Sequence, residues 1–304
     1  MSHYAGIATW ERVLEETETL GRAQVWPSER IRPRPWLENF SDEGERQIAA
    51  VLLKRFTFLS DDLFVSHLRG AFLSISRCAE FDTGSSEHAM AWRIFCEEAL
   101  VTHAEREVPD ATQSGSGLLP IVRKRLGLDR GQMLVPQEAA DAVWYGFDGP
   151  VVFLDDFVGS GEQFVSTMKR ERDCPDGSRR TFTEMLAERR FYYVVGLCTA
   201  RGKFRLEREF PGLKVVAGSI LPEDYNLSDP NCPLWPAECR EAGVQMIEKY
   251  GRQLGFDAED GGERDWRGYN ASGLALAFEH GTPDATLPIF HGAVDGWVSL
   301  VDRT

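Results

Sequence analysis

The residues best suited to chemistry lie in one segment, Val151 to Met168, V-V-F-L-D-D-F-V-G-S-G-E-Q-F-V-S-T-M. The apolar run Val151 to Leu154 reads as a buried strand that ends at two consecutive carboxylates, Asp155 and Asp156. Strand side chains alternate between faces, so the two acids can diverge, but both sit at the strand's carboxyl end. In open α/β sheets that edge is where ligands bind. Gly159-Ser160-Gly161 follows. Glycines let the backbone turn tightly and aim its N–H groups at a bound anion. The Ser160 hydroxyl adds a donor, and the N-terminus of the next helix adds positive potential. Carboxylates beside a phosphate cradle suit a ligand that carries hydroxyls, or a bound metal, next to a phosphate. A sugar phosphate is such a ligand.

Other nucleotide-binding patterns fit less well. A strand ending in acids is also half of a P-loop site, but no G-x-x-x-x-G-K-[ST] accompanies it. A dinucleotide fingerprint needs a third glycine where Phe164 stands, and it places its acid after the loop rather than before. A methyltransferase glycine loop keeps its acid closer to the glycines. A plain strand-turn-helix, with glycines that merely make the turn, stays open.

The elements that position this segment can be read around it. Residues 1 to 98 have helical spacing. Asp42 with Glu45 reads as a helix cap before Ile48, Val51, Leu52 and Phe56, and Ser60-Asp61-Asp62 opens a second helix with Phe64, Leu68 and Phe72 on its apolar stripe. This pair is acidic and lacks a basic recognition face, so it reads as a helical cap rather than a DNA-reading helix-turn-helix. Arg30 to Trp36, with two prolines, is expected to be extended. From 99 to 220 the rhythm is strand, loop, helix. Val101 to Val108, Met133 to Val135, Val151 to Leu154, Tyr192 to Leu197 and Leu213 to Val216 are the predicted strands, and Leu118 to Leu126 is a short basic helix. Apolar runs alternating with helices predict a parallel sheet covered on both faces. Residues 221 to 304, rich in Pro, Gly and Trp, lose that rhythm and read as a C-terminal hood.

Composition removes whole classes of function. A net charge of −14 over 304 residues argues against coating nucleic acid or an anionic membrane through bulk charge. No apolar run is long enough to span a bilayer, and the first residues carry no signal-peptide pattern. The six cysteines form no C-x-x-C pair, and His67, His88 and His103 show no metal-ligand spacing. The expectation is a cytoplasmic protein with reduced thiols. One stretch departs from the acidic average: residues 169 to 208 hold eleven Lys+Arg against six Asp+Glu and could meet a polyphosphate or a nucleic acid.

V-V-F-L-D-D-F-V-G-S-G resembles the phosphoribosyl pyrophosphate (PRPP) signature of type I phosphoribosyltransferases. The resemblance implies that Asp155 and Asp156 contact the ribose hydroxyls, with Mg²⁺ held through the ligand. It implies that Val158, Gly159, Ser160, Gly161, Glu162 and Gln163 form the 5′-phosphate loop. It also places Ser114, Gly115, Ser116 and Gly117 where such enzymes bind pyrophosphate, although composition alone allows a plain surface loop there. The sequence departs at Gln163, where the family has Thr or Ser, and at Glu162, where it has a small residue. A glutamate there repels phosphate unless it points away.

A wider resemblance covers most of the chain. Trp36-Leu37-Glu38-Asn39-Phe40, Ser114 to Leu119, D-D-F-V-G-S-G and the terminal His280-Gly281-Thr282-Pro283-Asp284-Ala285-Thr286-Leu287-Pro288-Ile289-Phe290 are together similar to phosphoribosyltransferase-like proteins of bacterial conflict systems. That family occurs in anti-phage loci, some with reverse transcriptases, and is regarded as an effector family. The expected architecture is then an α/β type I phosphoribosyltransferase-like core over 99–220, a helical region over 1–98 and a hood over 221–304. The expected activity is transfer or cleavage at the anomeric carbon of a ribose phosphate, with partner proteins of a defence locus. An inactive PRPP-sensing or partner-holding module is the alternative, and the acceptor is unreadable. His280 and Thr282 are candidate second-substrate contacts, with a buried structural histidine as the competing reading.

Overall fold

Long apolar runs between charged helices have one good solution, a sheet buried on both faces. The computed structural model describes residues 7–27, 29–78, 81, 85–105 and 123–303, and shows that sheet. In chain order its main elements are α1 (Trp10–Arg22), α2 (Pro33–Glu38), α3 (Glu43–Arg55), β1 (Thr57–Leu59), α4 (Asp61–Ser74), α5 (Ser85–Glu98), β2 (Leu100–His103) and α6 (Pro136–Trp144). There follow β3 (Val151–Val158), α7 (Glu162–Lys169), β4 (Arg172–Asp173), β5 (Arg179–Arg180), α8 (Phe182–Leu186), β6 (Phe191–Thr199), α9 (Ala200–Glu209) and β7 (Lys214–Leu221). The last are α10 (Arg240–Gln253), β8 (Leu276–Phe278) and α11 (Pro288–His291).

The chain divides into two compact units, Leu63–Pro222 and Met1–Asp62 with Glu223–Thr304. The borders differ from the expected 1–98, 99–220 and 221–304. The reason is pairing between residues far apart in sequence: β1 runs parallel to β8, Thr57 opposite Leu276, which ties the early helices to the last third of the chain.

In the Leu63–Pro222 unit, four parallel strands lie in the order β2-β3-β6-β7. Strand β6 is buried from Phe191 through Cys198, as a central strand covered on both sides must be. Strand β3 does not stop at the acids. It runs on to Val158, because β6 continues to supply partners: Asp155 faces Val195 and Val158 faces Cys198. The β2 side ends earlier, at His103 opposite Leu154. Phe153, Phe164, Phe182, Phe191, Tyr193 and Phe210 form one aromatic core. Each such side chain contributes on the order of 1.5–3 kcal/mol on burial. Tyr192 points to the opposite face, where Phe95 of α5 meets it edge-on at 5.2 Å. Helix α4 approaches the same strand closely enough that a Cβ on Gly196 would sit 2.3 Å from the Phe64 ring.

Three local expectations change. Met133 makes a single bridge to Val101 instead of a strand. Of Val101 to Val108, strand is described only to His103, and residues 106 onward lie outside the described residues, as does the start of Leu118 to Leu126. Arg30 to Trp36 is not extended throughout: α2 begins at Pro33. A proline in the first helical turn loses no hydrogen bond, since that N–H has no intrahelical partner.

In the other unit Asp42 does cap α3, its carboxylate accepting from the Glu45 N–H at 2.9 Å. Trp36 is fully buried, donates its indole N–H to the Ile289 carbonyl at 2.8 Å and stacks on Phe290 at 5.6 Å. The two ends of the chain therefore share one core.

The close approach at Gly196 gives a stability test. Gly196→Ala forces a methyl into the Phe64 ring and should lower stability by about 1–3 kcal/mol in urea or thermal unfolding. Gly70→Ala, in the middle of α4 with nothing within 4 Å of the added Cβ, should raise it by about 0.5–1 kcal/mol. Equal effects of the two would show that α4 does not lie against β6 as described.

Candidate functional site

The site begins where β3 leaves the aromatic core. Asp155 and Asp156 are half-buried, and each is tied to the next residue's backbone: Asp155 accepts from the Asp156 N–H at 2.9 Å and Asp156 from the Phe157 N–H at 2.7 Å. Asp155 also accepts from the Tyr193 hydroxyl at 2.5 Å. The two acids do not diverge enough to ignore each other. Burial, and then the charge of Asp156, hold the Asp155 carboxyl well above the usual carboxylate range. Tyr193 is pushed up too, by burial first and by the Asp155 charge second, so its hydroxyl keeps its proton and donates. The ring that places it is stacked on Phe164 of α7, with centroids 3.7 Å apart.

After Val158 the chain turns through Gly159, Ser160 and Gly161 into α7. Gly161 is left-handed, with φ of 80°. A side chain there would be strained, and its Cβ would press on Leu206 at 3.1 Å. The loop is clamped from β6 and α9. The Thr199 hydroxyl donates to the Gly159 carbonyl at 2.5 Å while accepting from the Gly202 N–H at 2.9 Å. Gly202 lets α9 touch the loop, since a Cβ there would lie 2.3 Å from the Gly159 oxygen. From that helix Arg205 donates to the Ser160 carbonyl at 3.2 Å and pairs with Glu162 at 3.3 Å.

Val158, Gly159, Ser160, Gly161, Glu162 and Gln163 thus follow the acids on one turn of chain, with Val158 and Gly161 buried and Gln163 exposed. Ser114, Gly115, Ser116 and Gly117 lie outside the described residues. His280 and Thr282 belong to the other unit. His280 contacts Asp61 at 2.9 Å and stacks on Phe278 at 5.1 Å, and Thr282 donates to the Asp302 carbonyl at 3.1 Å. His291 is buried, driven down to about 4 by that burial, and bonds to the Thr286 carbonyl at 3.2 Å, so it is a neutral packing residue. Burial pushes the Cys198 thiol up to about 12, which removes it as a nucleophile at neutral pH.

The sequence alone does not single out Tyr193, Thr199, Gly202 or Arg205. Only Thr199 left a trace, as a Thr before a helix three residues ahead of a glycine. Much of the basic stretch 169–208 is paired with acids. Arg172 is buried against Glu105 and lies over the Phe182 ring, Arg179 pairs with Glu171 and Asp173, Arg180 with Glu188, and Lys203 with Glu207.

The sequence model of the PRTase-CE family matches residues 33–303, nearly the whole chain. The chain belongs to the PRTase-CE family. Its fold is α/β, built on a parallel four-stranded sheet. Among solved structures, it is similar to the orotate phosphoribosyltransferase from Aeropyrum pernix, with 13% identity over 44% of this chain and 71% of that one and a TM-score of 0.25. No curated protein sequence matches it. Among the described residues, no helix of this PRTase-CE chain is long and apolar enough to cross a membrane.

The acid pair makes a stability prediction with a definite sign. Because Asp155 holds its proton to higher pH in the folded chain, it costs stability as pH rises from the unfolded carboxylate range of about 4 through its raised value. Asp155→Asn removes that cost. The variant should be more stable than the parent at pH 7 by on the order of 1 kcal/mol, or about 2–4 °C in Tm, and the gap should close toward pH 4. A gap that is constant with pH would show that Asp155 titrates normally.

Proposed function

We propose that this chain binds PRPP or a related ribose phosphate and acts at the ribose anomeric carbon, as a phosphoribosyltransferase-like effector of bacterial anti-phage defence. The observation that carries the reading is the succession, on one turn of a PRTase-CE chain, of two interacting carboxylates, a left-handed glycine turn and a helix N-terminus. Asp155 and Asp156 hold the ribose hydroxyls. The amides of Gly159 to Gln163 and the Ser160 hydroxyl hold the 5′-phosphate.

Transfer of this kind needs little covalent help. The ribose carbon becomes cationic as pyrophosphate departs, and nearby carboxylates stabilise that charge. Magnesium ion suits such a pair: it binds through one or two carboxylates and substrate oxygens. The donor set in question is the pair of half-buried carboxylates at the carboxyl end of β3. Asp155 and Asp156 would hold it through the ligand's hydroxyls, and its chemistry would be neutralisation of the leaving pyrophosphate.

Glu162 favours a second reading, a PRPP or nucleotide sensor without turnover. A carboxylate at the mouth of a phosphate loop repels the phosphate and lowers its affinity. The test is incubation of the purified chain with Mg²⁺ and PRPP, with pyrophosphate release and calorimetric binding measured together. Release is expected, and the Asp155→Asn, Asp156→Asn double variant should lower it on the order of a hundredfold or more. Binding without release selects the sensor. No binding of PRPP, ribose 5-phosphate or a nucleotide, either by this chain or by its Glu162→Gln variant, overturns both.

A further inference from the structure

Glu162 is the residue that fits the phosphate loop worst, and the structure gives it specific company. One carboxylate oxygen lies 3.5 Å from the Ser160 hydroxyl and the other 3.3 Å from the Arg205 guanidinium. Those are two groups that a phosphate oxygen at this loop would itself engage. Arg205 is committed to the loop by its bond to the Ser160 carbonyl, and it reaches there because Gly202, one turn earlier, brings α9 into contact with Gly159. The Glu162 and Arg205 side chains remain partly accessible, 41% and 34% exposed, so the pair can open without disrupting the core. The hydrogen bond that the Ser160 hydroxyl donates to the Glu162 carboxylate is long, 3.5 Å, and is a weak one to break.

Resting on the ribose-phosphate reading above, we infer that the Glu162 carboxylate is a built-in stand-in for the ligand's phosphate. It occupies Ser160 and Arg205 in the free chain. A phosphate monoester binds by displacing it and takes over Arg205 as its counter-charge. The pair therefore sets a threshold. Ligands with a dianionic phosphate compete with the carboxylate, and the corresponding ribosides do not. Arg205 is a binding residue contributed by the helix after β6, outside the strand-loop-helix segment that carries the motif.

The test is calorimetric titration of the full chain with PRPP and with inorganic phosphate, for the parent, Glu162→Gln, Arg205→Ala, Arg205→Lys and the Glu162→Gln, Arg205→Ala double variant. Melting curves establish that each is folded. Glu162→Gln should bind PRPP about tenfold more tightly, a gain that shrinks as salt rises. Arg205→Ala should bind about tenfold or more weakly, with Arg205→Lys in between. Arg205→Ala should still cost affinity in the Glu162→Gln background, because its partner is then the phosphate. If the parent binds PRPP and Glu162→Gln binds no tighter, the stand-in is wrong and the ribose-phosphate reading survives. If Arg205→Ala costs nothing once Glu162 is neutral, Arg205 serves only its carboxylate neighbours Glu162 and Glu209, and its assignment to phosphate falls. If neither the parent nor Glu162→Gln binds PRPP, the ribose-phosphate reading itself falls. Binding by Glu162→Gln alone would mean that the carboxylate blocks the site completely, which supports both.

Discussion

Two carboxylates one residue apart, at the half-buried end of a parallel strand, repel each other, and much of the surrounding structure answers that repulsion. Asp155 is steadied by the Tyr193 hydroxyl, and Tyr193 cannot move freely because its ring lies flat on Phe164. Phe164 belongs to the helix that begins at the glycine loop. The acid that would face the ribose and the loop that would face the phosphate are therefore joined by one hydrogen bond and one aromatic stack.

Strand β6 is the hub of this arrangement. It pairs with β3 and β7, supplies Tyr193 to the acids, and ends at Thr199, whose hydroxyl bonds the loop carbonyl of Gly159. The same threonine caps α9 and so sets where Gly202 and Arg205 fall. A loop of small residues has little rigidity of its own, because glycine loses the most conformational freedom on ordering. Here the order is imposed from the next strand and helix. A ligand would meet a loop already ordered and would spend less of its binding energy on arranging it.

The sequence made some of this readable and hid the rest for physical reasons. Strands showed as apolar runs because both faces of the sheet are covered. The Asp42 cap, the glycine turn and the acid pair are local patterns, and local patterns survive in a sequence. Their partners are not local. Tyr193 lies 38 residues from Asp155 and Arg205 lies 43 from Glu162, so no spacing rule connects them. Strand β3 outran its apolar run because pairing with β6, not hydrophobicity, decides where it ends. The two units escaped a linear reading because β1 finds its partner near the other end of the chain. Prolines in Arg30 to Trp36 suggested extension, yet in a first turn they start a helix.

Charge shows the same separation between composition and structure. The chain is acidic, and the stretch after the loop is basic in sequence, but sequence charge becomes surface potential only where it is unpaired. Arg172 is buried on Glu105 and the Phe182 ring, and Arg179, Arg180 and Lys203 each face a carboxylate. Such exposed pairs contribute little to stability, though they flatten the local field. The potential at the loop therefore rests on fewer groups than the eleven cations of the stretch suggest. Among the groups next to the loop are the start of α7 and Arg205, which is set against Glu162 and Glu209. Against that paired background, protonating, displacing or replacing the Glu162 carboxylate alters the charge next to the loop directly.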